Sequence, residues 1–384
     1  VDLSPDVAEP PVRRRWTLAA LLGVALAFLY SAVSTHHGAL LTLAFCWGPA
    51  AAIAIMAYLL LGRTKLQPGA AVDWSRAITG VAILAAIVIP AVIRPWRPGR
   101  PDDLDALTAI HLPALAWLVL GWVILGPRAG TRDVFASVLA SVEAVVTAGL
   151  MAGAGIVFSI ITYALFHAIG IDLPNALKRF MFYGGPGLLP VAAVATVYDP
   201  DRPPEARHGG HGLGRIVFTV GRLFLPLTLL VLAVYVIAIP FRFMEPFRNR
   251  DTLIIFNAML FAVIALIVIA TPLRPGSVAP RHELLLRRGI VSVAVLALLV
   301  SLYAMAAVLY RASQGGLTMN RLTVIGWNAL NIATLAWLVA LQARVRGDAW
   351  IEACHRAFRA ALAGYALWTG FVLAGIPLIW RDRW

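Results

Sequence analysis

Arg311 and Arg321 bracket a polar corner between two long apolar runs: Tyr310-Arg-Ala-Ser-Gln-Gly-Gly-Leu-Thr-Met-Asn-Arg321. Two guanidinium groups at a membrane surface can hold an anion, since their planar fork matches phosphate oxygens. Gly315-Gly316 permits a positive φ and a tight turn, and Thr318 or Asn320 is placed to N-cap the helix that follows. On that helix Arg321 and Asn328 share a face about 10 Å apart, with Asn331 beside Asn328. Thr318, Arg321, Asn328 and Asn331 thus form a polar stripe descending into an apolar zone, where such groups face other helices. Two readings stand. The stripe is interhelical hydrogen bonding beneath a capped hairpin, or, together with Arg311, a site for an anionic headgroup or solute.

A second stripe lies earlier. Ser159, Tyr163 and His167 are spaced i, i+4, i+8, and Glu143 with Thr147 stands at the other end of the same apolar run. A carboxylate and an imidazole on one long helix suit a proton route; an interfacial glutamate and a helix-end histidine are the plainer reading. His208-Gly-Gly-His211, near Asp199, Asp201 and Glu205, has metal-ligand residue types, but glycines fix no geometry, so a solvated loop is expected. His36-His37 reads as a surface pair. Cys46 and Cys354 are far apart in apolar surroundings and suggest neither a disulfide nor a zinc site. No cofactor or metal is expected. Walker A, His-Glu-x-x-His and Gly-x-Ser-x-Gly patterns are absent from the 384 residues. The first inter-run loop, Ser34-Thr-His-His-Gly38, carries no carboxylate of the kind expected of polyprenyl-linked glycosyltransferases.

The elements that position these residues are legible from composition. The chain is 60% hydrophobic and only 13% charged, against about a quarter charged in soluble domains, and its mean hydropathy is +0.82. Apolar runs fall at 16–34, 39–61, 77–93, 107–126, 145–168, 180–198, 216–240, 252–271, 289–310, 320–342 and 359–380. Each approaches the ~20 residues that cross a bilayer as a helix, and none shows the dyad alternation of barrel strands. The expected fold is an all-α polytopic transmembrane helical bundle of about eleven helices. Residues 1–15 read as a flexible polar tail, and 16–384 as a single transmembrane domain with a retained first span. Asp133–Ala144 and Arg344–Arg359 read as amphipathic shoulders leading into the fifth and last helices.

A net charge of +13 points here to the phospholipid bilayer as partner rather than to nucleic acid, because the basic residues are dispersed among short loops. Nineteen Lys and Arg fall on the N-terminal side of the alternating loops and twelve on the other, which places the N-terminus in the cytoplasm. Two opposite-side segments, Arg94-Pro-Trp-Arg-Pro-Gly-Arg-Pro-Asp-Asp-Leu-Asp105 and Phe241-Arg-Phe-Met-Glu-Pro-Phe-Arg-Asn-Arg250, mix arginine with aromatics or acids. They suit an interfacial belt or a basic surface for headgroups or an acidic partner.

From Gly221 onwards the order of features resembles a bacterial inner-membrane family, domain of unknown function 4153. Gly221-Arg-Leu-Phe-Leu-Pro-Leu opens one span, Thr271-Pro-Leu-Arg274 closes the next, and Arg311, Gly316, Leu317, Thr318, Arg321 and Trp327 match the family's hairpin wording. Leu165-Phe-His-Ala-Ile-Gly-Ile-Asp-Leu-Pro174 is similar to its mid-chain junction, and the resemblance covers about 160–345. Gly315 departs from the pattern, which has a bulkier residue there. The resemblance implies a polytopic fold in a bacterial inner membrane and carries no mechanism. Three functions follow from the residues: an accessory or structural subunit of a membrane complex with a protein partner; a transporter of a lipid, small solute or ion; or an enzyme acting on a lipid-linked substrate. The last requires acids or histidines converging near Asp102–Asp105, Glu245 or Asp251, and the absence of catalytic constellations leans away from it.

Overall fold

The computed structural model describes residues 10–34, 39–63, 74–93, 102–201, 213–248, 250–277 and 279–380. His36, His37, His208, His211, Glu205, the Arg94–Arg100 stretch and the side chains of Asp102 and Asp251 lie outside the described residues.

In hydrocarbon every backbone group must be satisfied within its own segment, so apolar runs of this length become helices. Helices α1 (Pro10–Val33), α2 (Ala39–Leu61), α3 (Trp74–Ile93), α4 (Asp102–Leu125), α5 (Thr131–Ala168), α6 (Asn175–Arg179), α7 (Gly185–Val197), α8 (Leu213–Ala238), α9 (Glu245–Arg248), α10 (Arg250–Ala270), α11 (Pro280–Gly315), α12 (Met319–Arg344), α13 (Ala349–Gly370) and α14 (Ile376–Ile379) follow in order. A π-helical turn at Phe180–Gly184 joins α6 to α7, and another at Phe371–Gly375 joins α13 to α14. Among the described residues ten segments are long and apolar enough to cross a membrane, and Ile255–Ala270 of α10 is a shorter apolar helix. The chain is an all-α integral membrane bundle.

Helix α1 starts at Pro10, inside the stretch read from sequence as polar tail. Pro10-Pro11 suits a first helical turn, where the missing N–H has no partner to lose. The two expected shoulders are the opening turns of long helices. Asp133–Ala144 belongs to α5, which runs unbroken for 38 residues, about 57 Å at 1.5 Å per residue. Residues 349–359 open α13, after a short break that follows Arg344.

The chain divides into two compact units. One comprises residues 1–96, 112–127 and 143–207. Here α1 and α7 approach so closely that a Cβ on Gly187 would lie 2.7 Å from the backbone of Leu26 and Ala27, and one on Gly48 of α2 would lie 2.7 Å from Pro113 of α4. Small residues at such crossings replace the hydrophobic driving force that lipid does not supply. The Tyr30 hydroxyl donates to the Trp47 carbonyl at 2.6 Å, and Arg15 pairs with Asp199 at 2.6 Å and with Asp201. A cavity of about 160 Å³ beside that pair is lined by Trp16, Tyr58 and Tyr198, among others.

The other unit comprises residues 97–111, 128–142 and 208–384. Its core joins Phe135 and Leu139 of α5 to Leu260 and Ile267 of α10, Ile290 and Val293 of α11, Leu335 and Leu338 of α12, and Ile351 and Cys354 of α13. One end of this core is tied by a knot of polar bonds. Arg287 Nη2 donates to the carbonyls of Gln342 and Val345, both at 2.9 Å, and so caps the C-terminus of α12. Gln342 Nε2 donates to the Trp350 carbonyl at 2.8 Å, and Trp350 Nε1 donates to Glu283 at 3.0 Å. His355, 1% exposed, donates through Nε2 to the Pro272 carbonyl at 3.1 Å and stacks on Phe135 at 4.1 Å.

Candidate binding site at the α11–α12 corner and the polar core beneath it

Helix α11 ends at Gly315 and is capped by Gly316, whose φ of +75° only glycine adopts without strain, and α12 begins directly after Thr318. Of the two capping candidates, Thr318 is the N-cap: its Oγ1 accepts from the backbone N–H of Arg321 at 3.3 Å. Asn320 instead donates from Nδ2 to Asp103 Oδ1 at 3.0 Å.

Arg321 does not extend outward. Its Nη1 donates to the Gly316 carbonyl, which folds the guanidinium back over the corner. A Cβ on Gly315 would lie 2.8 Å and 2.9 Å from the two Arg321 Nη atoms. Gly315 is therefore the residue that makes room for this arginine. Arg311, one turn before Gly315, is half-buried, and its Nη1 is enclosed without a hydrogen-bond partner. Neither guanidinium pairs with a carboxylate among the described residues.

Below the corner, Asn328 and Asn331 are both 0% exposed. They lie about 14 Å and 18 Å along α12 from Met319, near the middle of a ~30 Å hydrocarbon layer. Asn331 Oδ1 accepts from the Tyr365 hydroxyl at 2.8 Å, while its Nδ2 and both amide atoms of Asn328 have no hydrogen-bond partner. The surrounding buried hydroxyls behave differently. Thr108, Thr323 and Ser301 each donate to the carbonyl four residues back, at 2.7–2.9 Å. Short hydroxyl side chains can satisfy themselves on their own helix, whereas the Asn328 amide finds no such bond.

Two aromatic residues complete this layer: Trp327, read from sequence only as part of the hairpin wording, and His111, which sequence reading missed. Trp327 Nε1–H donates to Nε2 of His111 at 2.8 Å, and Trp327 packs against Tyr365 with ring centroids 5.4 Å apart. His111, 3% exposed, sits in the middle of an apolar run and was passed over. Its i, i+4 relation to Leu107, whose carbonyl lies 2.7 Å from Nδ1, is the local signal that it is satisfied within the helix. Thr369, one turn beyond Tyr365 and two residues before the π-helical turn that follows α13, is 0% exposed with an unpaired hydroxyl.

The second stripe lies on α5. The Glu143 carbonyl accepts from the Thr147 hydroxyl at 2.8 Å, and the Glu143 side chain is half-buried. Tyr163 and His167 stack with centroids 6.0 Å apart and 5° between planes, and Lys178 Nζ stands 5.7 Å above the Tyr163 ring. Ser159 is half-buried, while Tyr163 and His167 are exposed. Glu143 and His167 are separated by about 36 Å along the helix, too far for a direct proton transfer. Among the described residues no group of three or more His, Cys, Asp or Glu is placed to hold a metal ion. Glu245 is exposed. The Tyr303 hydroxyl of α11 donates to the Phe243 carbonyl at 2.7 Å, and Phe241 is 82% exposed.

Set beside known proteins, the chain matches no family model, no curated protein and no solved structure.

Proposed function

We propose that this protein is an accessory or structural subunit of a membrane complex, docked through α5. One observation carries the reading: the most apolar window of α5 is only 6% buried within its own chain, against 44% for α11. Along this exposed length lie Gly149, Gly153 and Gly155, and among the described residues nothing approaches within 4 Å of where their Cβ atoms would be. Each glycine in a helix interior costs about 1 kcal/mol relative to alanine, a cost that close approach of another helix offsets. Ala148, Ala152, Gly155 and Ser159 fall on one face of α5. The partner is a transmembrane helix of a different protein. In a two-fold pair of this chain, parallel copies would bring Glu143 towards Glu143 at one end of α5 and Lys178 towards Lys178 at the other, like charge to like.

A photoreactive side chain at half-buried Ala152, compared with one at the exposed Ile78 of α3, tests this. A single heterologous product from Ala152 that the Gly155→Leu substitution abolishes is expected. A product of twice the chain's mass, or equal products from both positions, overturns it.

A transporter is the second reading, favoured by the unmet Asn328 amide at mid-depth, where secondary transporters place their sites. We also read the chain as a bacterial inner-membrane protein similar to domain of unknown function 4153, with its N-terminus cytoplasmic. The hairpin wording and the nineteen-to-twelve charge bias support that reading. Reporter fusions after Arg344, expected in the cytoplasm, and after Gly315, expected on the opposite side, test the orientation.

A further inference from the structure

We propose that the α11–α12 corner binds a phosphate group, held between the guanidinium groups of Arg311 and Arg321. This goes beyond the docking of α5 and does not depend on it.

The two cations share one patch. Arg321 is laid against Gly315 by its bond to the Gly316 carbonyl, and Arg311 precedes Gly315 by four residues, so it occupies the same face one turn away. Two cations on one face of the corner repel, and among the described residues no carboxylate pairs with either arginine: Asp103 accepts from Asn320 instead. Arg311 Nη1 is enclosed with no acceptor. A desolvated, charged N–H left without an acceptor is among the more expensive states a side chain can occupy. An oxyanion seated between the two groups supplies that acceptor and cancels the repulsion. Phosphate fits best, because its oxygens accept from two guanidinium forks at once.

The setting favours a phosphate carried on acyl chains. Leu309 and Leu317, on either side of the patch, are 50% and 48% exposed, and Tyr310 is 45% exposed. Apolar side chains that face outward beside paired arginines match the boundary between acyl chains and headgroups. Free phosphate shares the same chemistry and is the other source.

Binding of dioctanoyl phosphatidic acid, dioctanoylglycerol and inorganic phosphate to the detergent-purified full chain separates these cases by calorimetry or native mass spectrometry. The expected result is binding of dioctanoyl phosphatidic acid and none of dioctanoylglycerol, which differs only in lacking the phosphate. Arg311→Gln and Arg321→Gln should each weaken it by about tenfold or more, and Arg288→Gln, at the far end of α11, should not. Gly315→Ala keeps both charges but displaces the Arg321 guanidinium, and should weaken binding as well. It and Arg311→Lys carry the test if the glutamine variants fail to fold. Inorganic phosphate binding as tightly as phosphatidic acid would support the phosphate chemistry and assign its source to solution. Equal affinity in wild type, Gly315→Ala and Arg311→Lys, or equal binding of dioctanoylglycerol, would overturn the proposal.

Discussion

Trp327 holds His111 in one protonation state. Indole N–H is only ever a donor, so Nε2 of His111, 2.8 Å from it, carries no proton. Nδ1, facing the Leu107 carbonyl at 2.7 Å, must carry one. A neutral imidazole with both nitrogens bonded is a tie between α4 and α12 rather than a titrating group. Trp327→Phe keeps the ring but removes the donor and leaves Nε2 unmet. Thermal or chemical unfolding in detergent should register a loss of about 1–3 kcal/mol.

The two buried asparagines should respond oppositely to the same substitution. Asn331→Leu deprives the Tyr365 hydroxyl of its acceptor and should cost about 1–3 kcal/mol. Asn328→Leu removes an amide that has no partner on either atom, so stability should hold or rise. A marked fall for Asn328→Leu would mean that the amide is bonded in the working protein, and would strengthen the transporter reading over the subunit reading.

The α12–α13 crossing tolerates no side chain at Gly326, where a Cβ would run into the Trp368 indole. Gly326→Ala should cost about 1–3 kcal/mol by overpacking and change the tryptophan emission. Gly121→Ala in α4, with nothing within 4 Å, is the matched control. It should be neutral or stabilising by up to about 1 kcal/mol, from helix propensity alone.

Arg287 is more than a topology charge. Arg287→Lys loses the fork that reaches the carbonyls of Gln342 and Val345 and should lower stability by roughly 1.5–3 kcal/mol. The exposed neighbour Arg288 should accept lysine with a change within about 0.5 kcal/mol. Paired unfolding curves of the two variants read the difference directly.

The helices were legible because lipid leaves a long apolar run one regular structure to adopt. What lies between helices was not. Arg287 counts as one positive charge in any loop tally, and its role as a cap depends on carbonyls 55 and 58 residues away. The Gly326–Trp368 contact has no local signal, since neither residue's own helix needs the other. His111 sits in an apolar run, where a single polar residue does not disturb the hydropathy average. At the corner, the Gly-Gly turn and the threonine cap were readable because capping is local, within three residues. The return of Arg321 over Gly315 was hidden, because a long side chain's direction is set by the space around it.

Helix α11 runs for 36 residues with no proline beyond its first turn, about 54 Å. Arg287 fastens one of its ends to the close of α12, and Gly315 shapes the other around Arg321. Such an element acts as a stiff rod. A tilt imposed on the Arg287 end is carried along an unbroken helix towards the Arg311 end. The two rims of this unit are spanned by one element.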